Sequence, residues 1–278
     1  VSKGAANYGE YARQLADEIL DLRARGALKI SHFLHLRAEV CSETLMEELE
    51  KFGPADRVGI VSLMDHTPGQ RQFRSLDAYK RFYAKQMGRS PEELQSYLDA
   101  RLAEHKRYST PNRQAIVSRA RAMGIALASH DDATLAHVEE AEADGVAIAE
   151  FPTTLEAASA AHAAGLAILM GAPNVVRGKS HSGNISATDL VEAGLLDILS
   201  SDYVPFALLQ AVFLLPQRIE GLALPAALAT VTANPARAAG LEDRGGIVTG
   251  KRADLVRVAA QAPLPVVRGV WREGRRVS

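Results

Sequence analysis

The sequence predicts an α/β fold whose parallel sheet belongs to a (β/α)8 TIM-like barrel. Three observations predict it. Short apolar segments alternate with helical stretches along most of the chain, and crossovers of about ten residues or more are what parallel pairing requires. Those segments are apolar almost throughout, as strands buried on both faces are. Nearly every one ends in polar residues: Arg37 and Glu39, Asp65 and His66, His130 to Asp132, Glu150, Asn174 and Asp202. Strand ends converge on one mouth in a barrel, where sites are built, and this favours a barrel over an open doubly wound sheet.

Composition narrows the function class. The chain has 278 residues, 47% of them hydrophobic, enough for a sizeable core. Its net charge is −1, without the basic excess of a nucleic-acid binder. One cysteine, Cys41, leaves no intrachain disulfide to form and fits a reducing, cytoplasmic setting. No apolar run reaches the ~18 residues of a membrane span. The longest, residues 205–216, is interrupted by Gln210.

Taken in order, Tyr11, Leu15, Ile19 and Leu22 fall at helical spacing and open the chain with a helix. Residues 28–40 read as the first strand, followed by a helix that Ser42 caps and Gly53 ends. Residues 57–66 form the second strand, before a long helical insertion. In it Ser90, Pro91 and Glu93 occupy the cap, first and third positions of one helix, and Thr110-Pro111 starts another. Residues 124–132, 146–152, 166–174 and 195–202 supply four more strands, each after a helix; Asp132 reads as the cap of the helix after the third. Six strands are visible, so the two that complete a barrel are expected upstream of residue 1. The tail differs: Gly245-Gly246 and Gly250-Lys251 turn the chain into strand-like segments of a small β-structure. The expected division is a barrel portion over 1–240 and a β-segment over 241–278.

Chemistry concentrates at the strand ends. His105, His137 and His162 lie in helical stretches and read as solvated or helix-packed, and His32 and His35 sit within the first strand on opposite faces. His66 and His130 instead follow apolar strands directly, and Glu39 and Asp202 hold equivalent positions. Two imidazoles and two carboxylates make a mixed N/O ligand set, suited to Zn, Mn or Fe ions. Helix caps and loop polars are the alternative reading. The loop over 171–186 carries Arg177, Lys179 and His181 among glycines, which suits a polyphosphate cradle, although it is not a GxxxxGK[ST] loop. Arg37, near the first strand's end, joins these as a substrate-binding candidate.

Residues 230–258 resemble the C-terminal signature of the amidohydrolase superfamily, which implies that the segment over 241–278 belongs to a small β-sandwich: Asn234-Pro235 followed by Gly240, then Gly245, Gly250 and Ala253-Asp254-Leu255-Val256. Within it, HLRAE (35–39), SLMDHTPGQRQF (62–73), ASHDD (128–132), AEFPTT (149–154), GAPNVVRGKSHSGN (171–184) and SSDYVP (200–205) together resemble one family. These are the alpha-D-ribose 1-methylphosphonate 5-triphosphate diphosphatases of the carbon–phosphorus lyase pathway of phosphonate metabolism. The resemblance implies hydrolysis of the ribose triphosphate tail to a 5-phosphate and diphosphate, with one or two divalent ions. It implies Glu39 as a bridging carboxylate, His66 and His130 as imidazole ligands, and Asp202 as both ligand and proton acceptor. Analogy with the fold also points to a homo-oligomer acting on a small phosphorylated substrate, with no nucleic acid or membrane involved.

One feature departs from the superfamily pattern. Its barrels begin with a strand bearing an H-x-H or H-x-D pair, and none occurs here at a matching place; His130 to Asp132 spells H-x-D only within the family's ASHDD. The pair is expected upstream. Two other readings stand beside the diphosphatase: an amidohydrolase cleaving a C–N bond, and an inactive amidohydrolase-like subunit if the first strands are absent.

Overall fold

A computed structural model describes residues 8–71, 90–178, 184–260 and 264–278. Six strands form one sheet, all parallel and paired in chain order: β1 (Leu34–Glu39), β2 (Val58–Met64), β3 (Ala126–His130), β4 (Ile148–Glu150), β5 (Ala167–Gly171) and β6 (Ile198–Ser200). Sequential order is the finding that matters. Right-handed crossovers in an unreversed order place every connecting helix on one face, as in a barrel, whereas a doubly wound sheet reverses its order at a switch point.

The two faces differ in chemistry. Leu36, Ala38, Val61, Leu63, Leu127, Ala149, Ile168, Met170 and Leu199 pack into the large core beneath the helices. The opposite face carries a smaller apolar layer of Ile60, Ala128, Ile148, Ala167, Leu169 and Ile198. Period-2 geometry continues that second face along each strand to His35, Arg37 and Glu39 on β1, Ser62 on β2, His130 on β3 and Glu150 on β4. Apolar residues thus floor this face, and polar ones crowd its C-terminal end.

The helices are α1 (Tyr8–Ala24), α2 (Leu45–Glu50), α3 (Pro91–Met123), α4 (Leu135–Ala143), α5 (Leu155–Ala163), α6 (Ala172–Arg177), α7 (Ala187–Glu192), α8 (Ala207–Arg218), α9 (Leu224–Ala229) and α10 (Ala233–Ala238). A small antiparallel sheet, β7 (Leu255–Ala259), β8 (Val266–Arg272) and β9 (Arg275–Arg276), ends the chain. Among the described residues, no helix is long and apolar enough to cross a membrane.

Several expectations need correction. α1 buries Ala16, with Ala12, Ile19 and Leu20 against the core, and leaves Tyr11 and Leu15 exposed, so the buried stripe is rotated from the expected one. Thr110-Pro111 starts no helix: α3 runs through Pro111. The apolar stripe of Leu94, Leu98, Ile116, Val117 and Ala120 continues across the proline. The Asn112 side-chain amide donates to the Val40 and Ser42 carbonyls at 2.9 and 2.8 Å, pinning the helix to the end of β1. Tertiary packing outweighs the local cost of proline there. The Ser90 capping box does form, and Gly124 ends α3 at a φ of 64°. Thr44, not Ser42, precedes α2, and Lys51, not Gly53, closes it. Asp132 is not the cap of α4. Thr134 is, accepting from the His137 amide, while Asp132 is buried against Arg71 and Ser129. Part of the expected 171–186 loop is the short helix α6.

Candidate metal centre at the strand ends

The site gathers where β1 to β4 end. Glu39 accepts two hydrogen bonds from one residue: the His66 backbone amide on Oε1 at 2.9 Å and the His66 ring Nδ1 on Oε2 at 2.6 Å. With Nδ1 donating to Glu39, Nε2 is the ring nitrogen that keeps a lone pair. His130 repeats the pattern. Its Nδ1 lies 3.1 Å from Glu150 Oε2, and the register that sets His130 opposite Glu150 makes the pair adjacent. The two rings meet edge to face with centroids 5.6 Å apart.

Their Nε2 atoms converge on Asp131. Its Oδ2 lies 3.5 Å from His130 Nε2 and 4.0 Å from His66 Nε2. One ligand atom from each of His66, His130 and Asp131 falls within 4.8 Å of the other two. Asp131 reaches this place through a left-handed backbone, φ 57°, directly after β3. Phe151 after β4 and Asp202 after β6 share that conformation, with φ of 54° and 49°. Non-glycine residues there are uncommon and concentrate at functional sites.

Charge supports the arrangement. Burial pushes the Asp131 carboxyl above the ordinary aspartate range, against the pull of His130, His66, Arg37 and Arg71. Burial acts on Glu150 in the same direction. The His130 hydrogen bond, the charges of His35 and His130 and the Ser62 hydroxyl outweigh it and leave Glu150 below its usual value. Ser62 donates to Glu150 Oε2 at 2.7 Å and also bonds His35 Nε2, so a polar chain runs from β1 through β2 to β4. Burial, with the charges of Arg37 and His130, lowers the pKa of His35 despite the attraction of Glu150.

Arg37 lies over the same space. Its Nη2 is 3.0 Å from His130 Nε2 and its Nε is 3.1 Å from Met64 Sδ. Asp202 follows β6, two strands beyond β4, with Oδ2 packed where a side chain on Gly171 at the end of β5 would begin, 3.0 Å from that position. Burial raises its pKa against the charges of Arg37, His130 and Arg177. Arg177 ends α6, donates to the Tyr203 hydroxyl and stacks over that ring. Lys179 and His181 lie outside the described residues.

Of the four expected ligands, His66 and His130 therefore come together, Glu39 holds His66 with both oxygens, and Asp202 stands at the rim of the group. The sequence reading missed Asp131, the acid nearest both Nε2 atoms, and Glu150, the partner of His130. Glu150 carried a signal, being polar at the strand end beside that of His130. Asp131 shared that strand-end signal with Asp132, and only the left-handed turn after β3 separates the two. His105, read as solvated or helix-packed, faces Asp65 and Cys41 instead.

The donor set fits a divalent cation. Two imidazoles, each oriented by a carboxylate on Nδ1, present Nε2 beside a buried acid; such carboxylate–histidine pairs are how proteins fix metal-binding imidazoles. The N/O mixture suits zinc, manganese or iron.

A family model described as "Amidohydrolase family" matches residues 110–278. Among curated proteins, the alpha-D-ribose 1-methylphosphonate 5-triphosphate diphosphatase of Escherichia coli (strain K12) is 46% identical over 269 residues, covering 96% of this chain and 71% of that protein. Among solved structures, an amidohydrolase from Thermotoga maritima is 19% identical over 88% of this chain and 62% of its own, with a TM-score of 0.48. A. niger ochratoxinase is 15% identical over 86% of this chain and 54% of its own, with a TM-score of 0.49. The chain thus spans a little over half the length of these two structures.

Proposed function

The chain belongs to the amidohydrolase family, and from that membership and the site's geometry we propose that it is a metal-dependent hydrolase of phosphonate catabolism. It cleaves alpha-D-ribose 1-methylphosphonate 5-triphosphate to the 5-phosphate and diphosphate. The substrate comes from the Escherichia coli relative, whose likeness runs over nearly the whole chain. The observation that carries the chemistry is the pair of carboxylate-held imidazoles, Glu39–His66 and Glu150–His130, turned toward Asp131.

His66, His130 and Asp131 would hold the ion, with Asp202 joining them from β6. A divalent ion bound there supplies a Lewis acid that polarises a phosphoryl oxygen and favours ionisation of water. Glu39 and Glu150 keep both rings in the tautomer that leaves Nε2 unprotonated. The Arg37 guanidinium stands at the His130 Nε2 that would ligate an ion, and a phosphate oxygen would offer Arg37 another acceptor. Arg177, beside Asp202 at the mouth, is suited to a second phosphate, with Lys179 and His181 next to it in the chain. Asp202 would accept a proton from the attacking water.

The same reading divides the chain into a barrel portion over 1–240 and a small β-segment over 241–278. A phosphorylated substrate and a single cysteine support a cytoplasmic location.

The test is metal analysis and a diphosphate-release assay on the purified full-length gene product, with simple amides as control substrates. Bound divalent metal and stoichiometric diphosphate are expected. Protein that binds no metal and releases no diphosphate overturns the proposal, and turnover of an amide instead assigns C–N bond cleavage.

A further inference from the structure

Behind the strand ends lies a second convergence of metal-ligating side chains. Cys41 follows β1, Asp65 follows β2, and His105 projects from the middle of α3. His105 Nδ1 is 2.9 Å from Asp65 Oδ2, Cys41 Sγ is 3.2 Å from Asp65 Oδ1, and Cys41 Sγ is 3.5 Å from His105 Nδ1. One donor atom from each lies within 4.8 Å of the others. The Thr67 hydroxyl stands 3.2 Å from Sγ, and the Thr67 amide donates to Asp65 Oδ1 at 3.0 Å.

We propose that Cys41, Asp65 and His105 form a second divalent-cation site with one sulfur, one oxygen and one nitrogen donor, suited to zinc. The distances carry the argument. Tetrahedral zinc, with bonds of about 2.3 Å to sulfur and about 2.0 Å to nitrogen or oxygen, sets sulfur and nitrogen about 3.5 Å apart and nitrogen and oxygen about 3.3 Å apart. The metal-free sulfur–nitrogen edge already has that length, while Asp65 meets the ring through Oδ2 and the thiol through Oδ1, so its carboxylate stands between the two other donors and one oxygen of it can serve both. The Thr67 hydroxyl or a water supplies the fourth corner.

Its surroundings agree. Cys41 and Asp65 are buried, while the His105 side chain keeps 30% of its exposure and leaves an entry path. The Thr67 amide orients the Asp65 carboxylate as outer partners of metal ligands do. Binding exchanges the thiol proton, which leaves to solvent, for a metal–sulfur bond. The thiolate makes this site select a softer ion than the all-N/O group beside it. Its consequence is mechanical: an ion there ties the ends of β1 and β2 to α3, and so braces Glu39 and His66, each one or two residues from a ligand.

The alternative is a hydrogen-bond cluster in which the thiol donates to Asp65 and no ion enters. Cobalt substitution separates the two, because Cys41 is the only cysteine in the chain. A thiolate-to-cobalt charge-transfer band in the near ultraviolet that is lost in Cys41→Ser therefore belongs to this site, and its reading needs no turnover. We expect the full-length protein exchanged with cobalt to show the band, and Cys41→Ser and His105→Ala to lack it. Both variants should keep the visible absorption of cobalt at the His66–His130 group. Zinc content should fall by one ion per chain in Cys41→Ser. A wild-type protein that takes up cobalt without the band, or a Cys41→Ser variant with undiminished zinc, overturns the proposal. Should His105→Ala fail to fold, loss of the band in Cys41→Ser decides.

Discussion

Glu39 binds His66 at two points, accepting from its backbone amide and from its ring Nδ1. The first contact fixes where the residue sits and the second fixes which way its ring faces. Glu39→Gln retains an oxygen for the amide but loses the charge opposite Nδ1. Outer-shell changes of this kind cost about 10–100-fold in metal affinity or activity. We expect a loss in that range, a weaker metal dissociation constant and an unchanged melting temperature. Equal metal affinity in the variant would mean that Glu39 does not orient His66 for a metal.

Gly171 tests Asp202 without touching it. Its backbone, φ −78° and ψ 128°, is one that any residue adopts. The obstacle to a side chain is Asp202, whose Oδ2 lies 3.0 Å and Cβ 3.3 Å from the place of the new carbon. Gly171→Ala therefore displaces the carboxylate by a few tenths of an ångström and leaves the strand intact. Misplacement by ~1 Å can cost about 10²-fold in rate, so a fall in kcat of about tenfold is expected, with little change in thermal stability. Full kcat in the variant would remove Asp202 from the reaction.

His137 gives the fold a measurable pH dependence. Its Nδ1 accepts the Ala133 amide at 3.2 Å, ahead of α4. Burial chiefly, with the charge of Arg71, lowers its pKa from 6.5 despite Asp132, Glu140 and Asp65. An unfolded His137 thus takes up its proton at a higher pH than the folded one. Its contribution is complete above about 6.5 and is lost as pH falls through the lower, folded value. In urea unfolding, wild type should exceed His137→Leu by about 1 kcal/mol at pH 8, the worth of one hydrogen bond. The gap should narrow toward pH 5; a constant gap would contradict the assignment.

Much of this was legible in the sequence, for physical reasons. Strands buried on both faces announce themselves as apolar runs, and their polar ends pointed to His66 and His130 before any geometry was known. Capping chemistry is local, so the Ser90 box could be read directly. Other features depend on distance in the chain. Pro111 looked like a helix start because the pull of Asn112 on the end of β1 is invisible locally. His105 looked solvated because Cys41 and Asp65 lie 64 and 40 residues away. Asp131 and Asp132 could not be told apart: one backbone turn sends the first to the imidazoles and the second to Arg71.

Arg177 is the described cation best placed to test the phosphate reading. Its guanidinium carbon lies 5.5 Å from the centroid of the Tyr203 ring while a guanidinium N–H reaches the hydroxyl. That contact holds the charge near Asp202 and keeps other N–H groups for an anion. Arg177→Met removes the charge and keeps the bulk. A hydrogen bond to a charged group is worth about 1.5–3 kcal/mol, so KM for the triphosphate should rise at least about tenfold, with kcat changing less. Tyr203→Phe keeps the stacking surface and loses the hydroxyl, so its rise in KM should be smaller, about two- to threefold. Steady-state kinetics on both variants measures this directly. If KM rises equally in the two, the tyrosine hydroxyl rather than the arginine charge meets the substrate; if neither moves, the phosphate chain lies elsewhere on the mouth.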